Sequence, residues 1–558
     1  MKKFRVILRW VWKSVLVLLV VLVAFILEEN IRGRILLARY KAELRAKGEK
    51  LALGEIDLPK PPAGGNGVPA LLAVVDEVIT NSKANPLGWY GLAIPIFTSA
   101  GRREVLHLQE RLTDRRPSPP VIPSGENRSR PGEVEEQPYV PTLPPTCSWD
   151  ELTKNLAAVS NALENARVAA RQPLLGIELD YTRDLDKQLP HLERIRHLRE
   201  WLAASAMEAL HRGNLNTALD DITTLAALVR LQKDERMVGV QVLRLRTANL
   251  GLHVTWEALQ SEGLTDQQLA RLQEDWQGAG CLPDYVPSLE VERVTSLRVY
   301  DRVALKDVVG YCSSGGNRRL DWADFLAYAL SCVGLSSYGS EDLQSGVKGE
   351  LENWKDWLTS VVHWFVWRTA WEQQDELHAL RQWQDNVDGA REVVMRKSLT
   401  AWSVKPERRW THYNQWRYLL YGTSYGAYTQ IHEAVQYETL REMTVAAVAL
   451  NRYKLRTGTY PANLSLLVPE FLPALPHDWM DGKPLHYSLN ADGTFTLYSV
   501  NDDGVDNGGD PNPLPPRTGS RMWDGRDAVW PMPATQDEVE AWKLRRSQQT
   551  QSRGRSQR

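Results

Sequence analysis

Residues Val6–Leu27 form an apolar run, purest from Ser14 to Leu27 as SVLVLLVVLVAFIL. A helix over these 22 residues rises about 1.5 Å per residue and reaches roughly 33 Å, enough to cross the hydrocarbon core of a bilayer. Arg9 and Lys13, four apart, lie on one face near its beginning, where long basic side chains can reach the headgroups. Glu28-Glu29-Asn30 follows the run, with no small-x-small cleavage site. The stretch therefore reads as an uncleaved, single-pass signal anchor, within a unit spanning residues 1–30. Flanking charge does not orient it. Lys2, Lys3, Arg5, Arg9 and Lys13 stand before the core, and Arg32, Arg34, Arg39, Lys41 and Arg45 follow closely.

Beyond the anchor, RILLARYKAELRAKGEK predicts a continuing helix that ends near Gly48. Pro59–Pro69 reads as a linker, and Leu71–Ile79 and Val105–Leu112 read as short helices, completing a unit over 31–116. Residues 117–145 hold nine prolines and few apolar groups. That composition cannot build a core, so 117–147 is expected to be an extended linker.

A helical body is expected over 148–435. Ser148 with Glu151 makes a capping box, as does Thr265 with Gln268. Leu192, Ile195, Leu198, Leu202, Ala206 and Ala209 fall on one helical stripe. Gly213-Asn214 turns the chain, and Ala218, Leu219, Ile222, Leu225, Ala226 and Val229 form the return stripe. This is a helical hairpin, yet no 34-residue self-similarity makes it a repeat array. Trp357, Val361, Trp364, Arg368 and Trp371 share an aromatic face, read as an inter-helix seam, with a membrane-interface belt as the alternative. The 21 Trp against 7 Phe fit such amphipathic contacts.

The last folded unit, 436–535, starts as a helix with Val445, Val448, Ala449, Arg452 and Tyr453 on one stripe. Gly458 stops it and Pro461 blocks its resumption. LHYSL and TFTLYSV alternate like strands, with Asn490-Ala491-Asp492-Gly493 as the hairpin turn between them. An acidic loop follows, NDDGVDNGGDP. Asn501, Asp502, Asp503, Asp506, Asn507 and Asp510 offer oxygens of the kind Ca²⁺ requires, and Gly504, Gly508 and Gly509 let the backbone curl. The spacing is not that of an EF-hand, and an Asx-rich turn without metal is the alternative. Residues 536–558 form a polar, basic tail expected to be disordered.

Tyr453-Lys454, Gly458, Tyr460-Pro461, Gly482-Lys483-Pro484, Tyr487, Asp503-Gly504, Gly508-Gly509 and Asp510 stand in the order seen in the globular domain of the major pseudopilins of type II secretion, which 436–510 resembles. The resemblance implies a small α+β domain facing outward from the membrane. It also implies a Ca²⁺ site with Asp503 as first ligand and Asp510 as second, Asp506 and Asp502 standing beside them. The chain as a whole resembles bacterial membrane-anchored helical proteins. Together these imply a bacterial inner-membrane protein, single-pass, with its body in the periplasm.

For catalysis, Gly422-Thr423-Ser424-Tyr425-Gly426 fits the nucleophile-elbow pattern, with Asp478, Asp481 and His486 downstream. No series of alternating strands and helices surrounds it. His191 and His197, six apart, point to different faces, and His432-Glu433 lacks a second His. Asp220-Asp221 reads as solvated charge on a polar face. Cys147, Cys281, Cys312 and Cys332 show neither CxxC nor zinc spacing; they allow three pairings or free thiols. The 67 basic and 69 acidic residues give no global field for nucleic acid.

The expected fold is mainly α: a transmembrane helix, a multi-helix bundle and a small C-terminal α+β unit. The expected function is a structural or protein-binding role in the cell envelope, with a calcium-stabilised end unit. No catalytic residue is assigned. The alternatives are a serine hydrolase using Ser424 and a component of a secretion or pilus-like assembly.

Overall fold

The apolar run lies in α1 (Lys2–Ala46), an unbroken helix of 45 residues. In this computed structural model the described residues are 2–60, 65–81, 149–302 apart from 175, 178, 180 and 182–188, then 362–402, 414, 417–418, 427–512 and 522–531. Several sequence expectations lie outside them: the Val105–Leu112 helix, the proline-rich stretch, the Ser148 cap, Trp357 and Val361, Ser424, the other three cysteines, and the tail.

α1 has two halves. From Leu16 to Val23 its side chains are exposed and apolar, and among the described residues it is the one helix long and apolar enough to cross a membrane. Further along, Leu37 and Leu44 are buried in a cluster with Leu297, Tyr300, Trp367, Trp371, Leu377 and Leu380. The helix stops where the sequence suggests, with Gly48 at φ +84° donating its N–H to the Arg45 carbonyl. Just past it, Glu49 meets Arg293 at 2.8 Å and also Arg391. Burial alone would raise its carboxyl, but hydrogen bonds from Arg391 and Arg293 override this and pull its pKa down to about 2.

The body is built from α2 (Val68–Asn81), α3 (Trp149–Ala170), α4 (Pro190–His211), α5 (Leu215–Leu231), α6 (Val238–Leu259), α7 (Asp266–Gln277), α8 (Leu282–Arg302), α9 (Glu372–Arg396) and α10 (Ala427–Thr457). α9 continues a helical run, described from residue 362, that passes through a π-turn, Trp367–Trp371. α4 and α5 form the expected hairpin. Gly213 takes φ +73°, the Asn214 side chain accepts from the Thr217 N–H at 3.3 Å, and both stripes are buried or partly buried. The Thr265–Gln268 capping box also forms. Glycine sets the spacing of α6 on α7, because a Cβ on Gly251 would stand 2.6 Å from the buried Trp276 ring.

Asp221 departs from the expected solvated charge. It is fully buried and accepts from Arg167 Nε at 2.7 Å, tying α5 to α3. Burial pushes its carboxyl up to about 6 despite that partner.

α10 runs through the centre. Met443 to Leu450 are buried on every side, as expected of a helix enclosed by others. The division expected at residue 436 falls inside α10. One apolar core runs from α2–α7 through α10 into Leu464, Phe471, Phe495, Leu497 and Trp530. The C-terminal sheet has three antiparallel strands in the order β1 (His486–Leu489), β2 (Phe495–Ser499), β3 (Ala528–Val529). β1 and β2 form the hairpin read from the sequence, closed by Asn490 N–H to Thr494 O at 2.8 Å with Gly493 at φ +81°.

A buried carboxylate joins α10 to α8. Cys281, just before α8, has no oxygen with which to cap the free N–H groups of the first turn. Glu438 of α10 supplies it, accepting from the Cys281 N–H and, at 3.0 Å, from the Leu282 N–H, while Arg441 Nε donates to its other oxygen at 2.8 Å. The fully buried Arg244 closes the same centre, donating to Gly280 O at 2.6 Å, Val229 O at 2.7 Å and Asp284 Oδ2 at 2.9 Å. Burial pushes the Cys281 thiol up to about 12, which leaves it an inert packing group. Glu438→Ala would orphan two N–H groups and leave Arg441 with only Glu442 and Trp276 O as partners, so it should cost about 3–5 kcal/mol in urea unfolding of the detergent-solubilised chain. A loss below about 1 kcal/mol would remove Glu438 from this role.

Candidate functional site

The acidic loop begins where β2 ends. Asn501 takes φ +58° and is buried, donating from Nδ2 to Gly525 O at 2.7 Å and Trp523 O at 3.1 Å. Asparagine tolerates this left-handed conformation better than most residues. Gly509, at φ +81°, passes so near β2 that a Cβ would lie 3.2 Å from Thr496 and Tyr498.

The loop curls around Asp527, which sits immediately before β3 and is fully buried. Its Oδ2 accepts N–H groups from Gly509 at 2.7 Å, Asn507 at 3.1 Å and Asp510 at 3.1 Å. Three backbone donors converging on one point form a receptor for negative charge, and here the anion comes from the chain itself. Asp527 N–H returns to Asp510 O at 3.0 Å and Arg526 N–H to Asn512 O at 2.9 Å, locking the loop against the strand that follows it.

The four expected metal ligands face other partners. Asp502 Oδ1 lies 2.7 Å from His432 Nε2 on α10. Asp503 accepts the Val505 N–H at 2.9 Å, a local Asx turn. Asp506 accepts from the Gly508 N–H and the Tyr498 hydroxyl, each at 2.9 Å, and stands 3.3 Å from His486 Nδ1. The Gly508 N–H, followed by the Tyr498 hydroxyl, holds the Asp506 carboxyl below the usual carboxylate range. Asp510 Oδ1 accepts from the Asn512 side-chain amide at 2.7 Å, and its Oδ2 lies 3.8 Å from Arg526. Among the described residues no three His, Cys, Asp or Glu side chains converge on a common centre. The curl directs its N–H groups inward and turns these carboxylates to separate partners.

The other expected residues are dispersed. Asp478 is buried, its carboxylate accepting from Met480 N, Ser499 Oγ and Val500 N at 2.9, 2.9 and 3.0 Å, and burial raises its pKa. His486 stacks on Tyr498 beside Asp506 and not on Asp478. His191 pairs with Glu235 in the interior at 2.9 Å and His197 lies 3.2 Å from Glu193, so the two share no partner.

Sequence reading missed Asp527 and His432 as members of this loop. Asp527 lies 17 residues beyond Asp510. Its only local signal is an aspartate between a Gly-Arg pair and a short apolar stretch. Asp527→Asn replaces half of the acceptor with an NH₂ group facing the same donors, and should cost about 1–3 kcal/mol. Amide exchange at 507–510 should accelerate in parallel. In calcium-free buffer Asp503→Asn keeps its Asx turn and should stay within about 0.5 kcal/mol. Equal losses for the two variants would contradict this assignment.

No protein-family model matches the chain, and neither a curated protein nor a solved structure matches it.

Proposed function

We propose that this is a membrane-anchored, non-enzymatic envelope protein that holds a rigid body at the outer face of a bacterial inner membrane and presents it to a partner protein. The observation that carries this reading is α1, exposed and apolar in one half and built into the body in the other. A helix that changes environment without a break leaves no flexible tether, which suits a fixed platform better than a mobile catalytic head. The outward orientation rests on the pseudopilin resemblance of the C-terminal unit. Leu466, Leu475, Leu489 and Val505 are exposed on that unit and offer apolar anchors for docking. A photo-crosslinker at Leu489 or Val505 in intact membranes should trap one discrete protein adduct. No adduct at either position would sink the docking role.

Calcium is the cofactor part of this proposal, supported by the oxygen-rich loop and by the resemblance. The C-terminal unit shares its core with the body, so the full chain is the material to use. Calcium at 100 times its dissociation constant should add about 2.7 kcal/mol to stability, and the shift should vanish with EDTA or in Asp503→Ala. Identical unfolding with calcium and with EDTA would remove calcium from the proposal and leave the platform reading standing.

A further inference from the structure

The helical run entering α9 lies parallel to α1, and the contacts fix their register. Asn30 Nδ2 donates to Thr369 O at 2.6 Å and lies 3.4 Å from Gln373 Oε1. Gln374 donates to the Glu29 side chain at 2.7 Å, and Gly33 is so close that a Cβ would stand 2.8 Å from Gln374 Cγ. Phe25 meets Trp371 edge-on at 6.4 Å between ring centroids, and Arg381 lies over the Tyr40 ring at 5.2 Å. The hydrogen-bonded pairs nearest the apolar half are 339 to 345 residues apart. That near-constant offset places Val362 level with residues 17–23 of α1 and Phe365 level with residues 20–26.

Those levels of α1 belong to its apolar half. The two helices also change character together. Leu27–Glu28 is where α1 turns from apolar to charged, and Trp367–Arg368, level with it, is where the second run gains its first charge after Val362-His363-Trp364-Phe365-Val366. Arg368 is tied down by Tyr300 O at 2.9 Å and by Glu372. Trp364 and Val366 pack inward, whereas Val362 is 52 % and Phe365 55 % exposed. Exposed apolar side chains continue along α1 past Glu28 to Ile31 and Ile35, so Glu28 is a conservative marker for the membrane boundary. Six residues of helix from Arg368 back to Val362 descend about 9 Å below it.

We propose that the run from Val362 to Val366 enters the bilayer beside the anchor, with Val362 and Phe365 facing lipid acyl chains and the buried Trp367 marking where the run rejoins the core. The membrane contact is then a two-helix wedge rather than a single stalk. A short run without charge, with apolar side chains left exposed beside a span, is what an interfacial segment requires. This rests on the reading of Val6–Leu27 as the span, so the test reports on each separately.

Single cysteines at Val362, Phe365, Val20 and Leu475, in a chain with Cys147, Cys281, Cys312 and Cys332 replaced by alanine, would carry a nitroxide. The full chain would be reconstituted in phosphatidylcholine/phosphatidylglycerol vesicles. Spin relaxation by oxygen, which concentrates in lipid, is compared with relaxation by a water-soluble nickel chelate. The expected result is a loss of nickel collisions at Val362 and Phe365 matching that at Val20, with Leu475 open to nickel. Val20 in lipid with Phe365 and Val362 open to nickel would overturn the wedge and leave the span intact. Val20 in lipid with both sites closed to both reagents would overturn it as well, since protein would then cover them. Nickel access at Val20 would overturn the span itself and the wedge with it.

Discussion

A carboxylate enclosed at the first turn of a helix is costly to place unless each of its oxygens finds a donor. Glu438 meets that condition with the Cys281 and Leu282 N–H groups on one oxygen and Arg441 on the other. The arrangement explains why α10 can pass through the interior with no solvated face along Met443–Leu450. Its polar obligations are concentrated one to two turns earlier, where they serve the end of a neighbouring helix. Arg244, reaching carbonyls on two other segments, extends the same satisfied network to α6 and the α7–α8 turn. Apolar packing in the remaining bundle is non-directional; this cluster fixes which helix ends meet.

The C-terminal unit obeys the same rule. Asp527 is the buried acceptor, and a loop rich in aspartate wraps its backbone N–H groups around it. The side-chain carboxylates of Asp502, Asp503, Asp506 and Asp510 are then directed to His432, to their own turns, to Tyr498 and to Asn512. The unit is joined to the body at several points. Gln273 donates to Phe471 O at 2.6 Å, Leu399 N–H to Trp479 O at 2.8 Å, and Trp256 to Pro531 O at 3.1 Å. It is an extension of the bundle core rather than a bead on a string.

What could be read from the chain was local. The α4–α5 stripes, the Gly213-Asn214 turn, the Thr265 cap and the Asn490–Gly493 hairpin all express interactions within a few residues, and each stands where periodicity and turn chemistry put it. The misreading of Asp221 as solvated came from judging a helix face by its own sequence, when its partner Arg167 lies 54 residues away. The acidic loop was legible as a curled, oxygen-rich turn. That its backbone N–H groups would turn inward onto a carboxylate depended on Asp527, which no local pattern announces. The pairing of α1 with the run into α9 joins segments more than 300 residues apart, so only the folded chain displays it.

Gly33 permits the close approach of α1 to Gln374, and no break lies between it and the apolar half of the helix. A helix of this kind behaves as a crankshaft. Each residue added or removed between Leu27 and Gly33 would turn the apolar half by about 100° about the axis relative to the body, shift it by about 1.5 Å and move Phe25 off Trp371. The face that the body shows to its surroundings is thus a matter of phase, set by the residue count in one short stretch. Two chains with the same body but counts differing by two there would set nearly opposite sides of it against the same face of the anchor.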